Sequence, residues 1–451
     1  MQLKRRRIGP ALGLFTAELF AAVGAHAQNA PAPPAPVTAS IPVTGSINDD
    51  TESDLGRTRI DTAVLFYQEA GGRVQATEPV VSITVNRRSG DIVSFKFTSD
   101  TLTGATPNGA TPWKEEQAFV KGDTPRGATS TGASDVVIAA PHVLPVDHGF
   151  KDQRYAVDAG YSFLWGSDTR LSIGGAGSWE TDYRSYSASL GISHDFNQKN
   201  TTAALGLNLE YDQSRPFSGT PPPLAPIDGI VPTSANSTKT VTSLVAGVTQ
   251  VINRYWLAQI NYSFGSAKGY QNDPYRLISV VDARTGGPVQ YLYEARPRSR
   301  ERHSIYIGNK IALGSTVLDL SARAYKDSWG VKSITLQAAD RVPVTSWLYV
   351  EPMVRYYHQT AADFFRYYLI GQSSLPAFAS SDIRLGKFSA VTVGLKLGAK
   401  ISRTNEVYVR ADYYRQTGDK HPAGTPGDLA RENLFSGAKA ASLMVGYSFV
   451  Y

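Results

Sequence analysis

Charged side chains at alternate positions of extended segments are the residues of this chain best placed to do chemistry. Segments in the first half carry mostly acids, namely Asp61, Glu69, Glu78, Asp100, Asp158, Asp195 and Glu210, against Lys96 and Arg154. Segments in the second half carry a basic excess, namely Lys310, Arg323, Arg355, Lys396, Lys400 and Arg410, against Asp319, Glu351, Glu406 and Asp412. Because alternate residues of a strand face the same side of a sheet, the two sets predict an acidic arc and a basic arc inside a closed sheet.

Opposed arcs of charge allow two interpretations. In a water-filled lumen they create a transverse field that orients dipolar solutes. The residues expected to line such a pore are Asp61, Glu78, Asp158, Glu210, Lys310, Arg323, Glu351, Arg355, Lys396 and Arg410. In a plugged lumen the same residues pair with each other, because an unpaired buried charge is costly. The first interpretation predicts a channel, and the second predicts a scaffold that conducts nothing.

A row of arginines suggests a lipid contact. Arg296, Arg298, Arg300 and Arg302 recur at every second position, and on an extended segment they point the same way. At the outer rim of a barrel they would lie level with lipopolysaccharide phosphates, which guanidinium groups bind through paired hydrogen bonds. We expect contact with lipopolysaccharide, and the alternative is a solvated charge run.

Combinations typical of catalysis or metal binding are few. His142, Asp147 and His148 could ligate a metal in a long loop, but loop histidines that bind nothing are commoner, so no metal or other cofactor is expected. His303 and Ser304 are neighbours on a predicted strand and face opposite sides, so they cannot act as a catalytic pair. With no phosphate-binding or dinucleotide motif either, we expect no enzymatic activity.

The elements that position these residues are strands. Sixteen segments alternate with period two, near 58–69, 74–86, 91–101, 151–165, 169–181, 184–196, 201–213, 238–252, 255–268, 301–313, 316–327, 330–342, 346–358, 385–400, 404–416 and 438–451. Most are long enough for a tilted membrane strand of about 9–11 residues. The sequence predicts an all-β fold: a transmembrane antiparallel β-barrel of about 16 strands, with 14 or 18 as alternatives.

The lengths of the links support that fold. Every long link follows an odd-numbered segment, and these links are 102–150, 214–237, 269–300, 359–384 and 417–437. The links after even-numbered segments are all short. Short periplasmic turns and long extracellular loops are typical of outer-membrane barrels.

The two ends of the chain carry targeting patterns. Lys4 to Arg7 precede an apolar stretch, and Ala25-His26-Ala27 fits a cleavage site, so residues 1–27 predict a signal peptide. Residues 28–57, rich in proline and then in acids, predict a flexible periplasmic tail before a barrel over 58–451. Gly446, Phe449 and Tyr451 resemble the C-terminal signal read by the barrel-assembly machinery, and a closing strand leaves no sheet edge open in lipid.

Composition agrees with this compartment. The formal net charge of +6 falls to +3 without residues 1–27, which carry four basic residues and one acidic residue, so nothing indicates nucleic acid as a partner. The chain has no cysteine, which excludes disulfides and thiolate metal sites and suits an oxidising periplasm.

Several longer motifs resemble a known family. They include Leu65 to Glu69, Arg73 to Ser82, Asp100 to Ala110, His194 to Thr201, Gly269 to Tyr275, Tyr291 to Glu294 with Arg296-Pro297, and Arg355 to Phe364. Over roughly Ile60 to Gln416 the chain resembles the proteobacterial outer-membrane barrel family catalogued as domain of unknown function 3570. The resemblance implies an outer-membrane barrel, supplies no catalytic residues, and suggests a redox-linked setting.

The sequence therefore predicts a porin-like barrel in a Gram-negative outer membrane, acting as a passive channel for small hydrophilic solutes. The alternative is a non-conducting scaffold, plugged by the 102–150 loop or by the tail, that binds a surface or periplasmic partner. Expected partners are outer-membrane lipid, lipopolysaccharide, the barrel-assembly machinery and small solutes.

Overall fold

The described chain forms one closed antiparallel barrel with a folded group of loops at one end. The computed structural model describes residues 55–120, 136–216, 219–227, 236–371 and 374–451. The predicted signal peptide and residues 28–54 of the predicted tail lie outside the described residues. No helix in the described ranges is long and apolar enough to cross a membrane.

The strands are numbered in chain order. Their bounds are β1 Thr58–Glu69, β2 Gln75–Asn86, β3 Ile92–Pro107, β4 Gln117–Val120, β5 Val136–Ala139, β6 Val146–Trp165, β7 Thr169–Trp179, β8 Tyr183–Phe196, β9 Thr201–Ser214, β10 Ser237–Asn253, β11 Trp256–Gly269, β12 Leu277–Val281, β13 Pro288–Tyr293, β14 Ser299–Leu313, β15 Thr316–Asp327, β16 Lys332–Pro343, β17 Leu348–Gln359, β18 Leu369–Ile370, β19 Phe388–Lys400, β20 Asn405–Gly418 and β21 Lys439–Val450. Short 3₁₀ turns occur at Ile383–Leu385 and Gly427–Arg431.

Sixteen of these strands close the barrel. The order around the wall is β1-β2-β3-β6-β7-β8-β9-β10-β11-β14-β15-β16-β17-β19-β20-β21, and β21 pairs with β1. The predicted class and the predicted number of strands are confirmed. The alternation arises because one face of each strand needs apolar residues and the other tolerates polar ones, which fixes the register.

The outward face is apolar. Large hydrophobic side chains project from it and are at least 40% exposed, among them Ile173, Leu190, Leu205, Leu209, Ile260, Ile305, Ile307, Val393, Leu395 and Leu397. Soluble monomers rarely expose apolar surface of this extent. The band is what a barrel surrounded by lipid requires.

The two ends of the barrel differ. At one end, here named the turn end, the links are 87–91, 166–168, 197–200, 254–255, 314–315, 344–347 and 401–404, and β1 begins and β21 ends there. Gly314 has φ 63°, which a tight two-residue turn demands and which favours glycine. At the other end, the loop end, the links include 108–145, 215–236, 270–298, 360–387 and 419–438.

The long links at the loop end fold together into a body that we name the cap. It comprises the described parts of 108–145, 215–236, 270–298, 360–387 and 419–438. Its centre is a small sheet in the order β13-β12-β18, and β4 and β5 form a separate hairpin. All five residues of β12 are buried, so this strand is covered on both faces.

Candidate functional site

The inward face of the barrel brings together all ten residues predicted to line a lumen. Strand pairing places Asp61 beside Ser448, Glu78 beside Leu65, and Asp158 beside Lys96 on one side of the sheet. The same alternation places Glu210, Lys310, Arg323, Glu351, Arg355, Lys396 and Arg410 on that side. Buried or half-buried side chains alternate with the exposed apolar band, so this side is the interior.

One half of the wall carries an acidic excess. Along β2 to β10 the inward charges are Glu78, Asp100, Asp152, Asp158, Asp195, Glu210 and Asp212, against Lys96, Arg154, Arg170 and Lys239. The Lys239 Nζ lies 2.8 Å from a carboxylate oxygen of Asp212, and Arg154 forms an ion pair with Asp100. Both pairs join adjacent strands, so each cation neutralises an acid beside it.

The other half of the wall is richer in cations and in tyrosine. The Lys396 Nζ lies 4.3 Å from the ring centroid of Tyr408 and 5.7 Å from that of Tyr349. The Tyr349 hydroxyl donates to Glu406 at 2.7 Å. The two rings lie flat on the wall over Gly398 and Gly446, where the Cβ of any other residue would overlap them. Lys396 is therefore a packed cation held by aromatic faces.

Gly446 therefore makes room for the Tyr408 ring, independently of any targeting role. Phe449 and Tyr451 stack on each other with ring centroids 5.6 Å apart, and Tyr451 is 64% exposed. The use of these three residues as an assembly signal stays a prediction.

Several of the charges in the lumen are paired along the wall. Arg59 and Asp61 (3.0 Å), Lys310 and Asp319 (3.4 Å), Arg341 and Glu351 (3.1 Å), and Arg410 and Asp412 (2.9 Å) each lie on one strand or on neighbouring strands. Arg355 donates two hydrogen bonds to the Gln337 side chain on the adjacent strand. These pairs need no partner from across the lumen.

The predicted arginine row does not form. Arg296 precedes β14 and is fully buried against Glu294 and Asp382. Arg300 is 6% exposed and donates to Asp327, and Arg302 lies on the inward side opposite Gly265. The predicted lipopolysaccharide contact is wrong for these three residues, because Arg296 and Arg300 are buried in ion pairs and Arg302 lies on the inward side of the wall. Arg298 is exposed, and its contact with lipopolysaccharide stays a prediction.

The other candidate chemistry is also dispersed. The His142 Nδ1 lies 2.6 Å from a carboxylate oxygen of Glu432 and links two parts of the cap. The side chains of Asp147 and His148 lie outside the described part of the structure. His303 contacts the Tyr262 hydroxyl on the outward face, and Ser304 accepts from Arg323 on the inward face, so these neighbours do point apart.

The cap spans the mouth of the barrel. The β9–β10 and β20–β21 links start from opposite sides of the rim at the loop end, with six strands between them on either side. Leu224 of the first link packs against the buried cluster that contains Ile278 and Val280 of β12, and Leu429 of the second link belongs to the same buried cluster as Val281. Because loops from opposite sides of this rim pack around the same strand, β12 lies over the lumen.

The cap also packs against the inner face of the barrel wall. Phe435 packs against Phe388 and Ala390, which are inward residues of β19, together with Tyr357 and Tyr414. These contacts anchor the cap within the mouth.

A buried ion cluster fastens two loops of the cap. The Arg296 Nε lies 2.7 Å from Glu294, and its Nη2 lies 3.0 Å from Asp382. Arg384 contacts Asp382 at 2.7 Å and Asp273 at 3.7 Å. Burial alone would raise the pKa of Asp382, but the nearby guanidiniums of Arg384, Arg276 and Arg296 hold that pKa well below its usual value.

The cap is missing from the sequence-based prediction, although part of it has a sequence signal. Leu277 to Val281 and Pro288 to Tyr293 are short β-prone runs separated by Asp282 and by Gly286-Gly287. That pattern is typical of a hairpin. The Asp282 side chain accepts from the backbone amides of Arg284 and Thr285 and so shapes the turn.

Family comparison agrees with the barrel and its motifs. Residues 35–449 match the family described as "Protein of unknown function (DUF3570)". The chain belongs to the DUF3570 family. No curated protein matches its sequence.

Solved structures with a similar barrel are distant from this DUF3570 member. A bacterial polysaccharide outer membrane secretin is 9% identical, with a TM-score of 0.42 over 88% of this chain and 99% of that one. CdiB from Acinetobacter baumannii is 9% identical (TM-score 0.43, 87% and 60%). A mutant of the ferric enterobactin receptor PfeA from Pseudomonas aeruginosa is 10% identical (TM-score 0.40, 86% and 59%). The chain thus spans about 60% of the length of the last two.

Two cap tyrosines predict sensitivity to alkali. Burial raises the pKa of Tyr291 and of Tyr367 to about 12. Unfolded tyrosines titrate near pH 10, so the folded cap holds these protons more tightly, and its stability should fall as pH rises from about 10 to about 12. Proteolysis of the cap across this window should accelerate. Replacing both residues by phenylalanine should weaken that acceleration without abolishing it, because burial also raises the pKa of Tyr270 and of Tyr293. An unchanged pH profile in the double variant would contradict this assignment.

Proposed function

We propose that this DUF3570 barrel is an outer-membrane channel for small hydrophilic solutes, with its loop end facing out of the cell and closed by the cap. The orientation follows from the link lengths, since long loops face outward in bacterial barrels. The apolar outward band supports residence in a bilayer.

Pairing of charges along the wall carries the channel proposal. Lys239 with Asp212, Arg341 with Glu351, and the other pairs lie on the same strand or on neighbouring strands. Where wall charges pair with neighbours on the wall, they need no packed protein at the barrel axis, because each paired ion already has its counter-ion. The centre is then free for water and solutes, and the acidic and basic arcs supply a field across it.

The cap turns this channel into a gated one. Its core joins loops from opposite sides of the loop-end rim over the lumen, and the ion cluster around Arg296 stabilises it. Passage then requires the cap, or part of it, to move. The same cap favours the second candidate function, a closed scaffold that presents its loops to a partner.

Thiol labelling tests whether the lumen holds water. The chain lacks cysteine, so single cysteines report without background. Ser321 faces the interior in mid-strand, and the adjacent Leu320 faces outward and is 36% exposed. We expect Ser321→Cys to react with a charged, water-soluble thiosulfonate in proteoliposomes.

Leu320→Cys is the matched control, because its thiol lies in lipid and should react only with an apolar maleimide. If Ser321→Cys stays unreactive until the barrel is unfolded, the lumen is dry and the channel proposal fails.

A further inference from the structure

A cavity of about 160 Å³ lies where the cap meets the barrel rim. On the barrel side it is lined by Glu69, Arg73 and Val74 at the β1–β2 turn and by the end of β3. On the cap side it is lined by segments from four of the long links, including Thr111, Arg276 and Asp382. An apolar cavity of about 150 Å³ accommodates benzene, so this space suits a molecule of that size.

Besides the ion pair of Arg73 with Glu69, two buried polar groups in the cavity wall have no hydrogen-bond partner. The Thr111 hydroxyl belongs to a residue that is 4% exposed, and neither it nor the Arg276 Nε is satisfied. The Arg276 Nη1 donates to the Pro107 carbonyl at 2.6 Å, which fixes the guanidinium. Buried polar groups are nearly always satisfied, so two orphans on one cavity indicate a missing acceptor.

Five charged side chains line the cavity wall. Arg73, Arg276 and Arg384 line it, against Glu69 and Asp382. Glu69 is already held by Arg73 at 3.0 Å, and Asp382 by Arg384 at 2.7 Å. The guanidinium of Arg276 is the least neutralised, because its nearest carboxylate oxygen, on Asp273, is 3.5 Å away. The long ion pair leaves the Arg276 guanidinium as the cation of the wall that is most open to a further acceptor.

Apolar side chains also line the wall, beside polar ones such as Ser381 and Gln416. The apolar ones include Val74, Pro107, Pro112, Ile383 and Leu434. Guanidinium groups bind carboxylates with matched geometry, and an apolar wall favours a hydrocarbon body. We propose that this cavity binds a small monocarboxylate with a short apolar chain, whose carboxylate meets Arg276 and Thr111.

Binding at this place would join the cap to the barrel rim. The ligand would contact the β1–β2 turn on one side and the 270–298 and 360–387 links on the other. Occupancy should therefore slow the release of the cap. This inference does not depend on conduction through the lumen, since a closed scaffold would bind the same ligand.

Calorimetry on the folded barrel in detergent tests the site with butyrate, butyramide and inorganic phosphate. Butyrate and butyramide match in shape and differ in charge. We expect butyrate to bind, and butyramide and phosphate to bind at least about tenfold more weakly, because a hydrogen bond to a charged group contributes about 1.5–3 kcal/mol. Phosphate binding as tightly as butyrate, or butyramide matching butyrate, would overturn the proposal.

Two substitutions assign binding to the cavity. Arg276→Gln should weaken butyrate by about tenfold or more, and Thr111→Val, which keeps the shape and removes the hydroxyl, should weaken it several-fold. Arg431→Gln is the control in the same cap, since that side chain is 86% exposed. Butyrate affinity unchanged in heat-modifiable Thr111→Val and Arg276→Gln protein, or no binding in the wild type, would overturn the proposal. If Arg276→Gln does not fold, Thr111→Val alone decides.

Discussion

Replacing Arg296 by methionine is expected to destabilise the cap by about 3–5 kcal/mol, because removing one partner of a buried ion cluster leaves an uncompensated charge. Arg296 and Glu294 both have fully buried side chains, and Glu294 also accepts from the Ser380 hydroxyl at 2.5 Å. Burial raises the pKa of Glu294, and Arg296 opposes that rise, so the carboxylate depends on this one guanidinium. Asp382 keeps Arg384 as a second partner.

Hydrogen exchange of the β12 and β13 amides measures this effect directly. In Arg296→Met these amides should exchange far faster, while the amides of β14 to β17 in the barrel wall should not change. Arg298→Met is the matched control, because Arg298 lies two residues further on and is exposed. Equal exchange in the two variants would show that the cluster does not hold the cap.

Reversing two lumen cations, Arg323→Glu with Arg355→Glu, is expected to shift ion selectivity several-fold toward cations with little loss of stability. Rings and arcs of charged side chains set the selectivity of pores. Both side chains are half-buried and bond to neutral partners, Ser304 and Gln337. Four units of charge therefore change on the basic arc, and neither substitution breaks one of the wall ion pairs described above.

Lys396→Glu should behave differently. Lys396 is 3% exposed and packed between Tyr349 and Tyr408, so an acid there would lose both ring contacts. We expect failed assembly or a large loss of stability. Reversal potentials in a salt gradient measure selectivity, with Lys332→Glu, exposed near the loop end, as the control. An unchanged reversal potential in the Arg323 and Arg355 double variant would mean that ions do not pass these residues.

The barrel could be predicted from sequence because one physical rule acts on every strand. Lipid outside and polar side chains inside require alternation along each strand. The strand β15 can therefore be predicted from its own residues, with Leu318 and Leu320 facing outward and Asp319 and Ser321 facing inward. The ten lumen residues follow from the same alternation. Their partners do not, because pairing along or across the wall depends on register and side-chain conformation.

The cap could not be predicted in the same way. Its elements are short, and β18 has two residues. Their contacts join residues far apart in sequence, as Arg296 with Asp382 and Lys114 with Asp428 show. The prediction that Arg296, Arg298, Arg300 and Arg302 form one row was wrong for a related reason. Arg296 lies before β14, where the strand rule does not apply, and Arg300 and Arg302 lie in β14 on its inward side.

Single-channel conductance of a barrel without the cap hairpin tests the central claim most directly. Leu277 and Tyr293 are partners in register, so the ends of a deletion of 278–292 lie side by side and a short Asn-Gly turn can join them. If a water-filled lumen lies beneath a cap, the deletion should turn a wild-type barrel of low conductance into one with large, uniform steps in a planar bilayer. A deletion variant that is folded and inserted but does not conduct would contradict the channel and leave the closed scaffold.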